Sequence, residues 1–252
     1  MAAIMWFIDT SKCIGCKACQ VACKQWHSLS AEATSFTGSY TNPPDLSEKT
    51  LTFVNFQEMQ SGGKLKFTFL KRQCMHCNRA ACQAKCPKGV EKTSEGFVVF
   101  NDDCTPENVR LTKKQKNGLD DAGILALQME VFLTCCPHLV PRYDDVNNKF
   151  VKCDSCYDRF GGGGNYTTYR NGSPTTACEL TCPVGAIVTG DKGKIMAAAK
   201  ARLRQVKKTN NKATLWGGRG RVIYLLVENP ANYRIQLDTG QYKLGNYGLV
   251  SV

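Results

Sequence analysis

Cys13-Ile-Gly-Cys16-Lys-Ala-Cys19-Gln-Val-Ala-Cys23 sets four thiols in the spacing C-x2-C-x2-C-x3-C. Two intervening residues bring successive sulfurs to neighbouring corners of one small cage, so a single loop supplies three soft ligands. The fourth cysteine, three residues on where a helix begins, points away from that cage and serves another. Zinc ribbons use two C-x2-C pairs, and this denser run overfills a tetrahedral zinc site. The stretch predicts one iron–sulfur centre and a ligand for a second.

The rest of the chain repeats the pattern. Cys74-Met-His-Cys77-Asn-Arg-Ala-Ala-Cys82-Gln-Ala-Lys-Cys86-Pro87 gives C-x2-C-x4-C-x3-C-P. Cys104 stands alone, and Cys135-Cys136-Pro137 follows after 30 residues. Cys153-Asp-Ser-Cys156 is separated by 21 residues from Cys178-Glu-Leu-Thr-Cys182-Pro183. Four groups, three carrying Cys-Pro, indicate an α+β chain built on a duplicated bacterial-ferredoxin-like domain with loop insertions.

Cross-ligation assigns the thiols. Cys13, Cys16 and Cys19 take Cys182 (site A). Cys153, Cys156 and Cys178 take Cys23 (site B). Cys74, Cys77 and Cys82 take Cys136 (site C). Three [4Fe–4S] clusters result. Cys86, Cys104 and Cys135 remain for a possible fourth centre: a three-iron cluster, a four-iron cluster with a non-cysteine ligand, or no cluster at all. The expected organisation is a first module over 1–30 and 150–192 and a second, partly degraded module over 64–149 with an insertion at 105–134. A helix and strand extension over 193–252 would pack on the core or a partner.

Composition bounds the alternatives. The chain has 252 residues, 15 cysteines, 42% hydrophobic and 21% charged residues, which suits a globular protein. An odd cysteine count leaves a thiol over in any full disulfide framework. The formal charge of +12 suggests nucleic acid when read naively. Each four-thiolate cubane adds about −2, so three lower the balance to roughly +6. The apolar runs at 4–8, 124–127 and 222–227 fall far short of the roughly 20 residues that span a bilayer. No cleavable export signal is visible at the N-terminus.

Short strands are expected at 4–8, 66–70, 97–100 and 222–228, a surface loop over 29–49, and a buried helix over 124–133. An amphipathic helix over 194–208 would bury Ile195, Ala199, Leu203 and Val206 and leave Lys200, Arg204 and Lys207 outside. The glycine run at 161–164 lacks the Lys-Ser/Thr ending of a phosphate loop and reads as flexible backbone. His27, His76 and His138 adjoin cysteine motifs and read as neighbours packed against the centres rather than ligands. Trp6, Trp26 and Trp216 read as core or interface residues, and Asp102-Asp103 as a turn. No catalytic residue set stands out.

The four groups in this order resemble the iron–sulfur electron-transfer subunit that accompanies molybdenum or tungsten bis-pterin oxidoreductases. Cys19-Gln-Val-Ala-Cys-Lys-Gln-Trp-His27, Asn42-Pro-Pro-Asp45, Val140-Pro-Arg142, Lys152-Cys-Asp-Ser-Cys-Tyr-Asp-Arg159 and Arg221-Val-Ile-Tyr-Leu-Leu-Val-Glu-Asn-Pro230 narrow this. They resemble the beta, or small, subunit of soluble formate dehydrogenases such as the periplasmic tungsten enzymes. The resemblance implies a chain that is not an enzyme on its own. It implies a large metal–pterin catalytic subunit as partner and a cytochrome c or other redox protein as acceptor. It also implies a periplasmic location reached by co-export, with a cytoplasmic one as the alternative. The equivalent subunit of a nitrate, polysulfide or arsenate enzyme is the runner-up. Membrane-bound relatives add a C-terminal transmembrane helix, and the polar sequence after Val227 argues for a soluble complex.

Overall fold

A computed structural model describes residues 3–61, 63–161 and 174–233. At its base is a four-stranded sheet in the order β8-β1-β10-β9. Strand β1 (Ile4–Asp9) lies in the middle, antiparallel to β8 (Ile187–Asp191) and parallel to β10 (Val222–Leu226). Strand β9 (Thr214–Trp216) pairs antiparallel with β10.

Alternation along β1 separates two cores, because successive side chains leave opposite faces of a strand. Met5 and Phe7 meet Ile195, Ala199, Leu203 and Val206 of helix α6 (Lys192–Lys207). These four are the buried residues of α6, while Arg204 and Lys207 are exposed and Lys200 is half-buried. Trp6 and Ile8 face the other way, toward Leu70, Met75, Phe97 and Phe160. Asp9 is buried at the end of β1, where Arg202 Nε donates to its Oδ2 at 2.8 Å. The described part of the region from 193 onward joins the N-terminal sheet through β10 and β9, and α6 covers one face of it.

Helix α1 (Ala18–Trp26) follows the first cysteine loop. Strands β2 (Phe53–Ser61) and β3 (Lys64–Arg72) form a long hairpin that delivers the chain to Cys74. The expectation at 66–70 covered only the middle of β3, and β2 was not expected. Helix α2 (Ala81–Lys85) and the pair β4 (Val90–Lys92) with β5 (Val98–Phe100) complete the second loop region. The insertion at 105–134 holds α3 (Lys113–Lys116) and most of α4 (Asp121–Cys135). A short hairpin of β6 (Arg142–Asp144) and β7 (Lys149–Val151) leads to Cys153, and α5 (Ala177–Leu180) carries Cys178.

Helix α4 exists, but it is not buried: only Gln128 and Phe132 are covered, and Leu125 is exposed. Its apolar residues are spread around the axis, and positions 128 and 132, one turn apart, face the core. Residues 162–164 of the glycine run and 234–252 of the C-terminal region lie outside the described residues.

Candidate iron–sulfur sites

The first loop turns tightly at Gly15 and Lys17, both with positive φ (68° and 61°), before α1 begins. Gly15 is required there, since a Cβ would stand 2.9 Å from the Phe69 ring in a backbone conformation that side chains disfavour. Cys19 and Cys23 then sit one turn apart on α1, and both are buried. Helix α5 packs against α1 and presents Cys178, with Cys182 just beyond it.

Three cavities result, each ringed by four cysteines. Cys13, Cys16, Cys19 and Cys182 line one, together with Ile8, Val54 and Lys71. Cys23, Cys153, Cys156 and Cys178 line the next, with Trp6, His27 and Lys71. Cys74, Cys77, Cys82 and Cys136 line the third, with Val98, His138 and Lys152. The first two cavities share Lys71. Cys153 of the second is the chain neighbour of Lys152 in the third. The sites therefore adjoin in the order A, B, C.

The donor sets suit a cubane, which four soft thiolates hold. Backbone amides turn toward the sulfurs: Ala186 N donates to Cys182 Sγ at 3.2 Å, His76 N to Cys74 Sγ at 3.4 Å and Ala177 N to Cys156 Sγ at 3.5 Å. Such bonds favour the charged form of sulfur. The cysteine loops also turn through positive φ at His76, Leu139, Ser155 and Cys156. As free thiols Cys19, Cys77 and Cys153 hold their protons: burial pushes Cys19 and Cys77 up to about 12 and Cys153 up to about 11. A metal centre must displace those protons, so loading releases them.

Two buried lysines were not read from the sequence. Burial opposes charge at Lys71, but Cys178, Cys19, Cys153 and Cys23 surround it and leave its pKa raised. Lys152 behaves likewise among Cys74, Cys82 and Cys153. The only sequence signal was position: Lys152 precedes Cys153, and Lys71 stands three residues before Cys74.

The histidines serve the loops. His27 Nε2 lies 3.2 Å from Asp154 Oδ1. This pair comes within 4.8 Å of Cys156 Sγ, a residue of site B. His76 accepts from Val98 N at 2.9 Å through Nδ1, and its ring stacks on Trp6. His138 packs edge-on to Trp216. Trp26 Nε1 donates to Asp158, and the Arg159 guanidinium lies 4.2 Å over its ring. Asp102 is fully exposed, in keeping with a turn.

The three thiols offered for a fourth centre are divided. Cys86 and Cys104 are fully buried, and the Cys86 thiol donates to Asp103 O at 3.8 Å. They pack with Val90, Val98, Val109, Phe132 and Phe150. The two phenylalanine rings, 4.2 Å apart between centroids, fill this part of the core. Cys135 ends α4, donates to Phe132 O at 3.1 Å and lines a different cavity of about 630 Å³ beside Cys77 and Trp216.

Comparison with known proteins agrees with this chemistry. Two models described as 4Fe-4S dicluster domains match residues 12–90 and 65–192. Formate dehydrogenase subunit beta of Megalodesulfovibrio gigas is 35% identical over 229 residues, covering 90% of this chain and 95% of that protein. Formate dehydrogenase 2 subunit beta (cytochrome c-553) of Nitratidesulfovibrio vulgaris is 33% identical over 230 residues, with the same coverage. The iron–sulfur subunit of the nitrate-inducible formate dehydrogenase of Escherichia coli is 34% identical over 212 residues, 82% of this chain and 60% of that longer protein. With its tandem dicluster domains, the chain belongs to the beta, or iron–sulfur, subunits of formate dehydrogenases.

Proposed function

We propose that this chain is the electron relay of a formate dehydrogenase, with [4Fe–4S] clusters at sites A, B and C and none on Cys86, Cys104 and Cys135. Formate is oxidised to carbon dioxide, a proton and two electrons on a separate, large metal–pterin subunit. A [4Fe–4S] cubane bound at each site takes up and returns one electron at a time. The residues of this chain fix the cubanes through four cysteines each, orient amides toward the sulfurs and shield the sites with apolar side chains.

The observation that carries this reading is the adjacency of three cavities, each ringed by four cysteines gathered from both halves of the sequence. The chain itself is non-catalytic in this reading. The acceptor is a cytochrome c or similar redox protein, in keeping with the name of the Nitratidesulfovibrio relative. The complex is periplasmic, by co-export with the large subunit. Among the described residues no helix is long and apolar enough to cross a membrane.

The test is direct. Purified chain, loaded to about twelve iron and twelve sulfide, should not reduce a dye with formate, yet should be reduced when its catalytic partner and formate are added. Formate-dependent dye reduction by the chain alone, free of pterin, refutes the assignment.

A further inference from the structure

We infer that Lys71 and Lys152 are charge couplers of the relay, each holding a buried ammonium at a junction between two adjacent cysteine sites and making both neighbours easier to reduce. The inference rests on the cysteine assignment proposed above.

Lys71 projects from β3, is 3% exposed, and lines the cavities of both site A and site B. Its ammonium donates to the neutral amide of Gln73, and no carboxylate pairs with it among the described residues. Its charged surroundings are Cys19 of site A and Cys178, Cys153 and Cys23 of site B. Lys152 is 6% exposed and lines the cavity of site C. It donates to the carbonyls of Val98 and Cys153, and it faces Cys74 and Cys82 of site C as well as Cys153 of site B. Asp154 also faces Lys152 and is itself paired with His27.

A buried cation without an acid is unfavourable unless negative charge is supplied nearby. Thiolate-ligated cages on both sides supply it. In return, an ammonium in a medium of low dielectric stabilises any further negative charge beside it, with a strength that falls with distance. Lys71 therefore acts on A and B, and Lys152 on B and C. Site B lies between the two lysines and feels both. Packing alone gives no reason for that pattern.

The experiment uses the intact complex with its catalytic subunit and reads reduction potentials by electron paramagnetic resonance. Signals are assigned to sites by the losses in Cys16→Ala, Cys156→Ala and Cys77→Ala. Lys71→Met keeps length and removes charge: A and B should move to more negative potential and C should stay. Lys152→Met should move B and C and leave A. The double variant should shift B most. Unchanged potentials at full iron content, or equal shifts at all three sites in either variant, overturn the inference. If a methionine variant sheds iron, Lys71→Arg or Lys152→Arg decides. Full iron there supports a need for charge, and iron loss there too overturns it. Iron well below twelve in the unaltered complex overturns the cysteine assignment and the inference with it.

Discussion

Ser155 Oγ lies 2.6 Å from His76 Nε2, and this buried contact joins the C-x2-C loop of site B to that of site C. His76 stands between Cys74 and Cys77, Ser155 between Cys153 and Cys156, and both adopt positive φ. Because Val98 N donates to Nδ1, the imidazole proton sits on Nε2 and is given to the serine. The imidazole is fully buried and its pKa is well below the ordinary value, chiefly through burial, so it is neutral and able to play both parts.

His76→Ala should leave Val98 N–H and Ser155 Oγ buried without their partner and open a cavity beside Trp6. A loss of about 3 kcal/mol is expected from the unpaired groups and the lost packing. A drop in the thermal midpoint accompanied by iron loss checks this. An unchanged midpoint would show that the contact carries no stability.

Cys13→Ala and Cys182→Ala should deplete the same cluster, although the residues lie near opposite ends of the cysteine sequence, because both line one cavity. Electron paramagnetic resonance of the two variants should show loss of one and the same signal. Loss of different signals would break the pairing of the first and last groups.

Replacing Cys86 and Cys104 together by alanine should leave iron unchanged. Their sulfurs face each other and the phenylalanine core, so the expected penalty is about 1 kcal/mol for each lost sulfur. Iron and labile sulfide, measured beside the thermal midpoint, separate this from a fourth centre. Loss of three or four iron atoms per chain would establish that centre instead.

Gly220→Ala should loosen site C and spare A and B. The β9–β10 turn holds the second cysteine loop through Arg221 N to Met75 O at 2.9 Å and Asn78 N to Arg219 O at 3.0 Å. A Cβ on Gly220 would stand 2.3 Å from Met75 O, a backbone atom with nowhere to go. The turn must withdraw, at about 2–3 kcal/mol. Selective loss of the signal that Cys77→Ala also removes is the expected result.

Asp45→Ala should cost about 2 kcal/mol, reduced from the value for a fully buried pair because Asp45 is partly exposed. Its carboxylate accepts from Arg142 at 2.5 Å and reaches Arg72 at 3.4 Å, and Arg72 is otherwise a buried cation bonded to His138 O. Arg142 also grips Leu46 O and Leu139 O, so Asp45 ties the 42–46 loop to both β3 and β6. The thermal midpoint should fall, and Asp45→Asn should recover part of the loss.

What the sequence alone determined is local. At sites A and C three thiols stand within a few residues of one another, so spacing specifies most of those ligand sets before any folding. The buried face of α6 was equally legible, because Ile195, Ala199, Leu203 and Val206 recur at helical intervals. Only the tertiary structure decided the rest. Nothing in residues 4–9 announces a parallel partner at 222–226, since strand pairing over such a separation is a property of the whole chain. Which face of α4 is covered, that of Gln128 and Phe132, depended on what packs beside it. Cys135 and Cys136 are adjacent in sequence yet line different cavities, because the end of α4 turns one thiol toward site C and the other away from it. Lys71 and Lys152 read as ordinary charged residues until folding placed each one between sulfurs from distant segments, where burial gives a single charge its reach.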